Sequence, residues 1–259
     1  GTTSVLFGGE YGELRLRGKS LTGTEGAHVS FSHAQETVHC TGDIRTLVDY
    51  ENYETVSTAN AKFSSLFSGC SALGSAPALP ATTLAEYCYS RMFCDCTALV
   101  SAPELPATTL AESCYSGMFF GCTSLATGPI LSAPNLASGC YSEMFRGCTG
   151  LVSAPALPAT TLADYCYNSM FDGCTKLTES PKLPAAVLKL ACYTTMFVGC
   201  EKLNKVTMLA TDVSATGCLV NWLYGVSSTG TFTKAPTMES LASGASGIPT
   251  GWTVVDYEE

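Results

Sequence analysis

Charge is scarce in this sequence, and positive charge is the scarcest. Charged residues make up 14% of the chain, with 13 Lys and Arg against 22 Asp and Glu, for a net charge of -9. Nucleic-acid binding needs clustered Lys and Arg to neutralise phosphates, and here they are few and spread out. No run of about twenty apolar residues occurs, so no transmembrane helix is expected. No signal peptide is visible. The chain opens on Gly1 in place of a start Met, which points to a processed form from which a signal peptide or anchor has been removed. Catalytic constellations are missing too: no Ser–His–Asp set, no paired carboxylates and no Gly-rich phosphate loop stand out. The 46% hydrophobic content still allows a core in a chain of 259 residues, one large domain or two small ones by length.

What the sequence does have is cysteine, fourteen of them, and they fall on ladders. Cys70, Cys96, Cys122, Cys148, Cys174 and Cys200 are each 26 residues apart, as are Cys88, Cys114, Cys140, Cys166, Cys192 and Cys218. Only Cys40 and Cys94 stand outside. The same step links Phe67, Phe93, Phe119, Phe145, Phe171 and Phe197, then Leu73 through Leu203, and Pro77 through Pro181. A fixed period of this length with Leu, Phe and Cys at fixed offsets marks a repeat that stacks into a solenoid of leucine-rich-repeat type.

One unit, LPATTLAEYCYSRMFCDCTALVSAPE, spans 79–104. Thr83 followed by Glu86 reads as a capping box, repeated at Thr109/Glu112 and Thr161/Asp164. A short helix is therefore expected from Leu84, with Leu84, Cys88, Met92 and Phe93 on one face. Gly69, Asp95, Gly121, Gly147, Gly173 and Gly199 follow, suited to a left-handed residue that stops the helix. Cys96, Leu99, Ala102 and Leu105 then turn inward along a short strand that ends at Pro103, which has no N–H to donate. One unit buries too little to fold alone, so coils must stack and their ends must be capped.

The expected fold is an α/β solenoid: a right-handed leucine-rich-repeat superhelix of about six 26-residue coils, each a short strand and a short helix, with β-rich caps. Residues 1–53 form the N-terminal cap, 54–226 the solenoid and 227–259 the C-terminal cap. In the first cap, Glu13–Arg17 and His28–Phe31 alternate like hairpin strands. In the last, Thr231–Lys234 and Trp252–Tyr257 read as closing strands around a Gly/Ser-rich loop at 243–251.

The segments MFFGCTSL (118–125), MFRGCTGL (144–151) and MFDGCTKL (170–177), each near an APxLP-like stretch, resemble the BspA-type leucine-rich repeats of bacterial surface proteins. The likeness covers roughly 54–226, and GELRLRG (12–18) and GIPTGWTVV (247–255) resemble the flanks of such repeats. The family's unit is somewhat shorter, with Ile or Val where this chain has Cys88 and Ala102, a departure that concerns core packing. The resemblance implies a secreted or outer-surface bacterial protein similar to adhesins. Its partner would be an extracellular protein or glycan. It transfers no site residue.

The thiols admit three readings. Buried free thiols fit the helix face of Cys88 and a turn position of Cys96, from which the side chain would bond the backbone of the next coil. Disulfides are allowed by an extracellular setting and an even count, but stacked copies of one Cys give poor geometry. Metal binding needs closer pairs than C-x7-C. Cys94, which has no copy in the other coils, is expected to face solvent or a groove, as an inert surface thiol or a reactive one. His28, His33 and His39, with Cys40 adjacent, read as exposed imidazoles on an alternating segment or as a metal site. The Tyr89, Tyr115, Tyr141, Tyr167 and Tyr193 ladder packs between helices or forms an aromatic strip for glycans. Ser101, Glu104, Ser153, Glu179 and Lys182 should line the strand side, and the copies vary at 86–87, 90–91 and 94–95, with Arg91, Glu143 and Asp172 among the variable outward residues. No catalytic, cofactor-binding or metal-ligating residue is assigned. The expected function is non-enzymatic surface binding by a monomer without cofactor, and the other reading is a structural spacer with no dedicated ligand.

Overall fold

The computed structural model describes residues 12–24, 26–31, 36–239 and 241–258. Within them the 26-residue interval is a physical repeat. Single parallel bridges join Thr83 to Thr109, Thr127 to Ser153, Asn135 to Thr161 and Glu179 to Lys205, each one coil further on.

The coils contain no α-helix, which overturns the helix-per-coil leucine-rich-repeat superhelix. Among the described residues the one helical element is a 3-10 turn at Ile44–Leu47. Where a helix was expected, Tyr87, Tyr89, Arg91, Phe93 and Asp95 each donate their N–H to a carbonyl of the following coil, at 2.7–3.0 Å. The alternate residues Cys88, Ser90, Met92, Cys94 and Cys96 donate to carbonyls three residues back, at 3.1–3.3 Å. An α-helix would instead send every N–H to a carbonyl four residues back.

The reason lies in the backbone angles. Tyr87, Arg91 and Asp95 have φ of 57°, 54° and 57°, and the same positions are left-handed at Ser113, Gly117 and Gly121 and in each later coil. Every fourth residue thus reverses hand, and the chain runs as a file of four-residue turns. Such a file brings residues four apart to one side, as a helix does, so the 84, 88, 92 apolar spacing fits both. The residues expected to stop the helix, Gly69 through Gly199, are indeed left-handed. Asp95 or Gly at this point is the last of three reversals in its coil, and Thr83 sits in a bridge to Thr109 instead of capping a helix.

Stacking makes the core. The six Phe rings from Phe67 to Phe197 lie face to face with centroids 5.6–5.8 Å apart and planes within 10°. A second file starts at Phe63 and continues through Tyr89, Tyr115, Tyr141, Tyr167 and Tyr193 at 5.8–6.0 Å. All these rings are buried, as are Met92, Met118, Met144, Met170 and Met196 beside them. Each ring pair adds roughly 0.5–1.5 kcal/mol beyond its buried area. That gain offsets part of the roughly 1–2 kcal/mol that each left-handed non-Gly residue costs.

Regular strands occur at the two ends of the repeat. β1 (Val38–His39) pairs in parallel with β2 (Leu73–Ser75). β3 (Lys205–Met208), β4 (Gly230–Lys234) and β5 (Trp252–Asp256) form a parallel sheet in that order. β4 and β5 fall on the two segments expected to close the chain. The hairpins expected at Glu13–Arg17 and His28–Phe31 are not formed. His28–Phe31 attaches to the repeat instead, Val29 donating its N–H to the Leu66 carbonyl at 2.7 Å, and nearby Gly23 bridges Lys62. At the far end Trp222 meets Phe232 edge-on at 6.0 Å and donates its indole N–H to the Gly247 carbonyl at 2.8 Å. No helix among the described residues is long and apolar enough to cross a membrane.

Candidate binding surface

The thiol ladders belong to the interior. All fourteen cysteines are free, and all but Cys40 are buried. The Sγ atoms of Cys96, Cys122, Cys148, Cys174 and Cys200 donate to the carbonyls of Phe67, Phe93, Phe119, Phe145 and Phe171, at 3.0–3.2 Å. The acceptor lies in the preceding coil, whereas the sequence suggested the next one. Burial pushes Cys88, Cys114, Cys148, Cys166, Cys192 and Cys200 up to about 12. Thiols held that high stay protonated at neutral pH and are weak nucleophiles and ligands.

Cys94 does not face solvent. It is 6% exposed, with Sγ 3.4 Å from Asp95 Oδ2, and burial foremost, then the Asp95 charge, raises its pKa. His39 lies 3.3 Å from Ser75 Oγ, His28 is exposed, and His33 lies outside the described residues. Among the described residues no three His, Cys, Asp or Glu side chains gather closely enough to hold a metal ion. The tyrosine ladder is 0–2% exposed, its rings stacked on one another and, at Tyr89, on Phe63, so no face is open to a glycan.

The outward positions are where the coils differ, and there the structure assembles a cluster. Arg91 pairs with Glu143 at 2.8 Å, two coils away. Arg146 bonds the other Glu143 oxygen at 3.2 Å and reaches Asp172 at 2.9 Å. The Arg91 and Arg146 guanidinium carbons each lie 5.6 Å from the centre of the Phe120 ring. Burial raises the Asp172 carboxyl above its ordinary value, and the Arg146 charge opposes the shift. Sequence reasoning had marked Arg91, Glu143 and Asp172 as variable and outward, and the turn file brings them together. It overlooked Phe120 and Arg146 as partners, although both occupy the ladder position of Cys94.

On the strand side Ser101, Glu104, Ser153, Glu179 and Lys182 are exposed. Lys182 donates to the Tyr257 hydroxyl at 2.8 Å and sits over its ring at 4.3 Å. Apolar residues missed in the sequence share this side: Val100 is 60% exposed, Ile130 83% and Val152 52%. Val152 donates its N–H to Ala126 at 3.0 Å, which places 100, 126 and 152 on one outward file. Their signal was present, because each flanks an inward Leu in its coil. The two surfaces offer paired charges, one flat ring and scattered apolar side chains, a set suited to recognition. No family model matches the chain, and comparisons with curated proteins and with solved structures gave no match to it.

Proposed function

We propose that this chain is a non-enzymatic binding module of a bacterial cell surface, akin to BspA-type repeat proteins, that acts as a monomer on an extracellular protein or glycan. One observation carries the reading: the stacked Phe, Tyr, Leu and Cys ladders are buried, and the residues that differ between coils include the exposed Arg91, Glu104, Ile130, Lys182 and Asn221. Phe93 and its copies are 0–3% exposed. The position of Arg91 becomes Gly117, Glu143, Ser169, Thr195 and Asn221, and that of Glu104 becomes Ile130, Ala156 and Lys182. A fixed core with a changing exterior is what a repeat scaffold needs to display a specific surface. The exposed Val100, Ile130 and Val152 leave apolar side chains open at the surface for such contact. The negative net charge sets nucleic acid aside.

The test is a binding screen of the intact chain against matrix proteins, mucins and a glycan array. Specific capture that weakens on replacing Ile130 or Arg91 by Asp supports the reading, and a wholly empty screen counts against it. The second reading is a spacer that holds another part of a surface protein outward. The unbroken coil-to-coil hydrogen bonding favours it, because that bonding stiffens a stack along its length. A spacer tolerates both substitutions without loss of function.

A further inference from the structure

An open cavity of about 510 Å³ lies where the N-terminal segment meets the first coil, lined by Gly26, Ala27, His28, Lys62, Ser64, Ser65 and Ser68. Its volume falls in the range of small-ligand sites. Its chemistry runs against the rest of the molecule. The chain carries 22 acidic residues against 13 basic ones, yet the titratable groups on this lining are one ammonium and one imidazole. Among the described residues neither Lys62 nor His28 has a carboxylate within ion-pair distance. Glu25, next in sequence to the wall, lies outside the described residues.

The floor is hydroxyl-rich for a structural reason. Ser65 and Ser68 occupy the ladder positions that carry Arg91 and Cys94 in the second coil and Glu143 and Arg146 in the fourth. Small side chains here leave space where later coils fill it with paired charges. The Ser64 and Ser65 hydroxyls carry no hydrogen bond among the described residues, so donors and acceptors remain for a ligand. Ser65 is held at φ 58° and Gly26 at φ 75°, and the Ser65 N–H is bonded to the Ser90 carbonyl at 2.9 Å, which fixes the floor. Backbone bonding, not its side chain, anchors Lys62: its carbonyl accepts from Thr24 at 2.9 Å, and its N–H donates to Thr22 at 2.9 Å.

We propose that this cavity binds an anionic saccharide, with Lys62 and His28 taking the sulfate or carboxylate group and the serine hydroxyls the sugar hydroxyls. An oxyanion alone would need the two nitrogen donors, and a neutral sugar would need the hydroxyls. The lining supplies both side by side. The proposal deepens the binding-module reading by giving it one site and one ligand class, and rests on that reading for its biological use.

Calorimetric titration of the full chain tests it with four probes: N-acetylglucosamine 6-sulfate, N-acetylneuraminic acid, unsulfated N-acetylglucosamine and sodium sulfate. One or both anionic sugars should bind saturably, at least about tenfold more tightly than the neutral sugar and the bare ion. The arm that binds identifies sulfate ester or carboxylate as the recognised group. Lys62→Met and, at an exposed position that leaves the fold alone, His28→Glu should each weaken it about tenfold, with unchanged melting. Equal binding of sulfate alone, equal binding of the neutral sugar, no binding by either anionic sugar, or full binding by both variants would each overturn the proposal. If the titration fails while matrix or mucin capture persists, this site is lost and the binding-module reading stands.

Discussion

Arg91 crosses the bare Cα of Gly117 to reach Glu143. A Cβ at Gly117 would lie 3.1 Å from Arg91 Cγ, and Gly117 itself is left-handed at φ 60°. The glycine therefore does two things: it permits a reversal of hand and clears a path between coils. Gly117→Ala should destabilise the chain by about 1–2 kcal/mol through the backbone alone. Arg91→Ala should cost less than about 1 kcal/mol, because the ion pair is partly exposed. Thermal melts check both, and raising the salt should shrink only the Arg91→Ala effect.

The buried thiols make a pH prediction. Cys88, Cys114, Cys148, Cys166, Cys192 and Cys200 sit near 12 in the folded chain against an ordinary value of 9.0. A raised acid keeps its proton in the fold, so its full contribution is present below about pH 9. It is lost as pH rises from there through about 12, where the unfolded thiols ionise first. Denaturant midpoints in reducing buffer should hold level up to about pH 9 and then fall. In the native state the thiols should resist alkylation at neutral pH, and in denaturant all fourteen should react.

The tyrosine file offers a sharper contrast. The Tyr89 hydroxyl is buried with no hydrogen-bond partner among the described residues. Tyr89→Phe keeps the ring stack and removes an unsatisfied group, so it should be neutral or stabilise by about 1 kcal/mol. Phe145→Ala opens the middle of the Phe file, between Phe119 and Phe171, and should cost about 3–5 kcal/mol. Denaturant titration of the two variants checks the order, and a Phe145→Ala cost below about 1 kcal/mol would contradict a ring packed in a stack.

Much of this was legible from spacing. The 26-residue coil, the buried Phe, Leu and Cys ladders, the left-handed Gly69 series and the strands at 231–234 and 252–256 could all be read from the chain. The helix could not be told from a file of turns, because both bring positions such as Leu84, Cys88 and Met92 to one side. A clue was available at the middle reversal, where Gly117 interrupts the expected helix. Gly139 and Gly217 mark the first reversal in their coils, while Tyr87, Ser113, Tyr165 and Ala191 hid it in theirs, since such residues seldom take positive φ. The cluster around Phe120 was half legible: Arg91, Glu143 and Asp172 were marked as variable, but a contact spanning two coils depends on Gly117 being bare. The cavity beside Lys62 was not legible, because it depends on how a non-repeating segment meets the first coil.

The central claim is that turns, with alternate N–H groups sent to the next coil, do the work that helices were expected to do. Far-UV circular dichroism of the folded chain tests it most directly. The turn stack predicts a spectrum without the α-helical double minimum, lost cooperatively on melting. A strong helical double minimum, amounting to a helix of about ten residues in each coil, would contradict it.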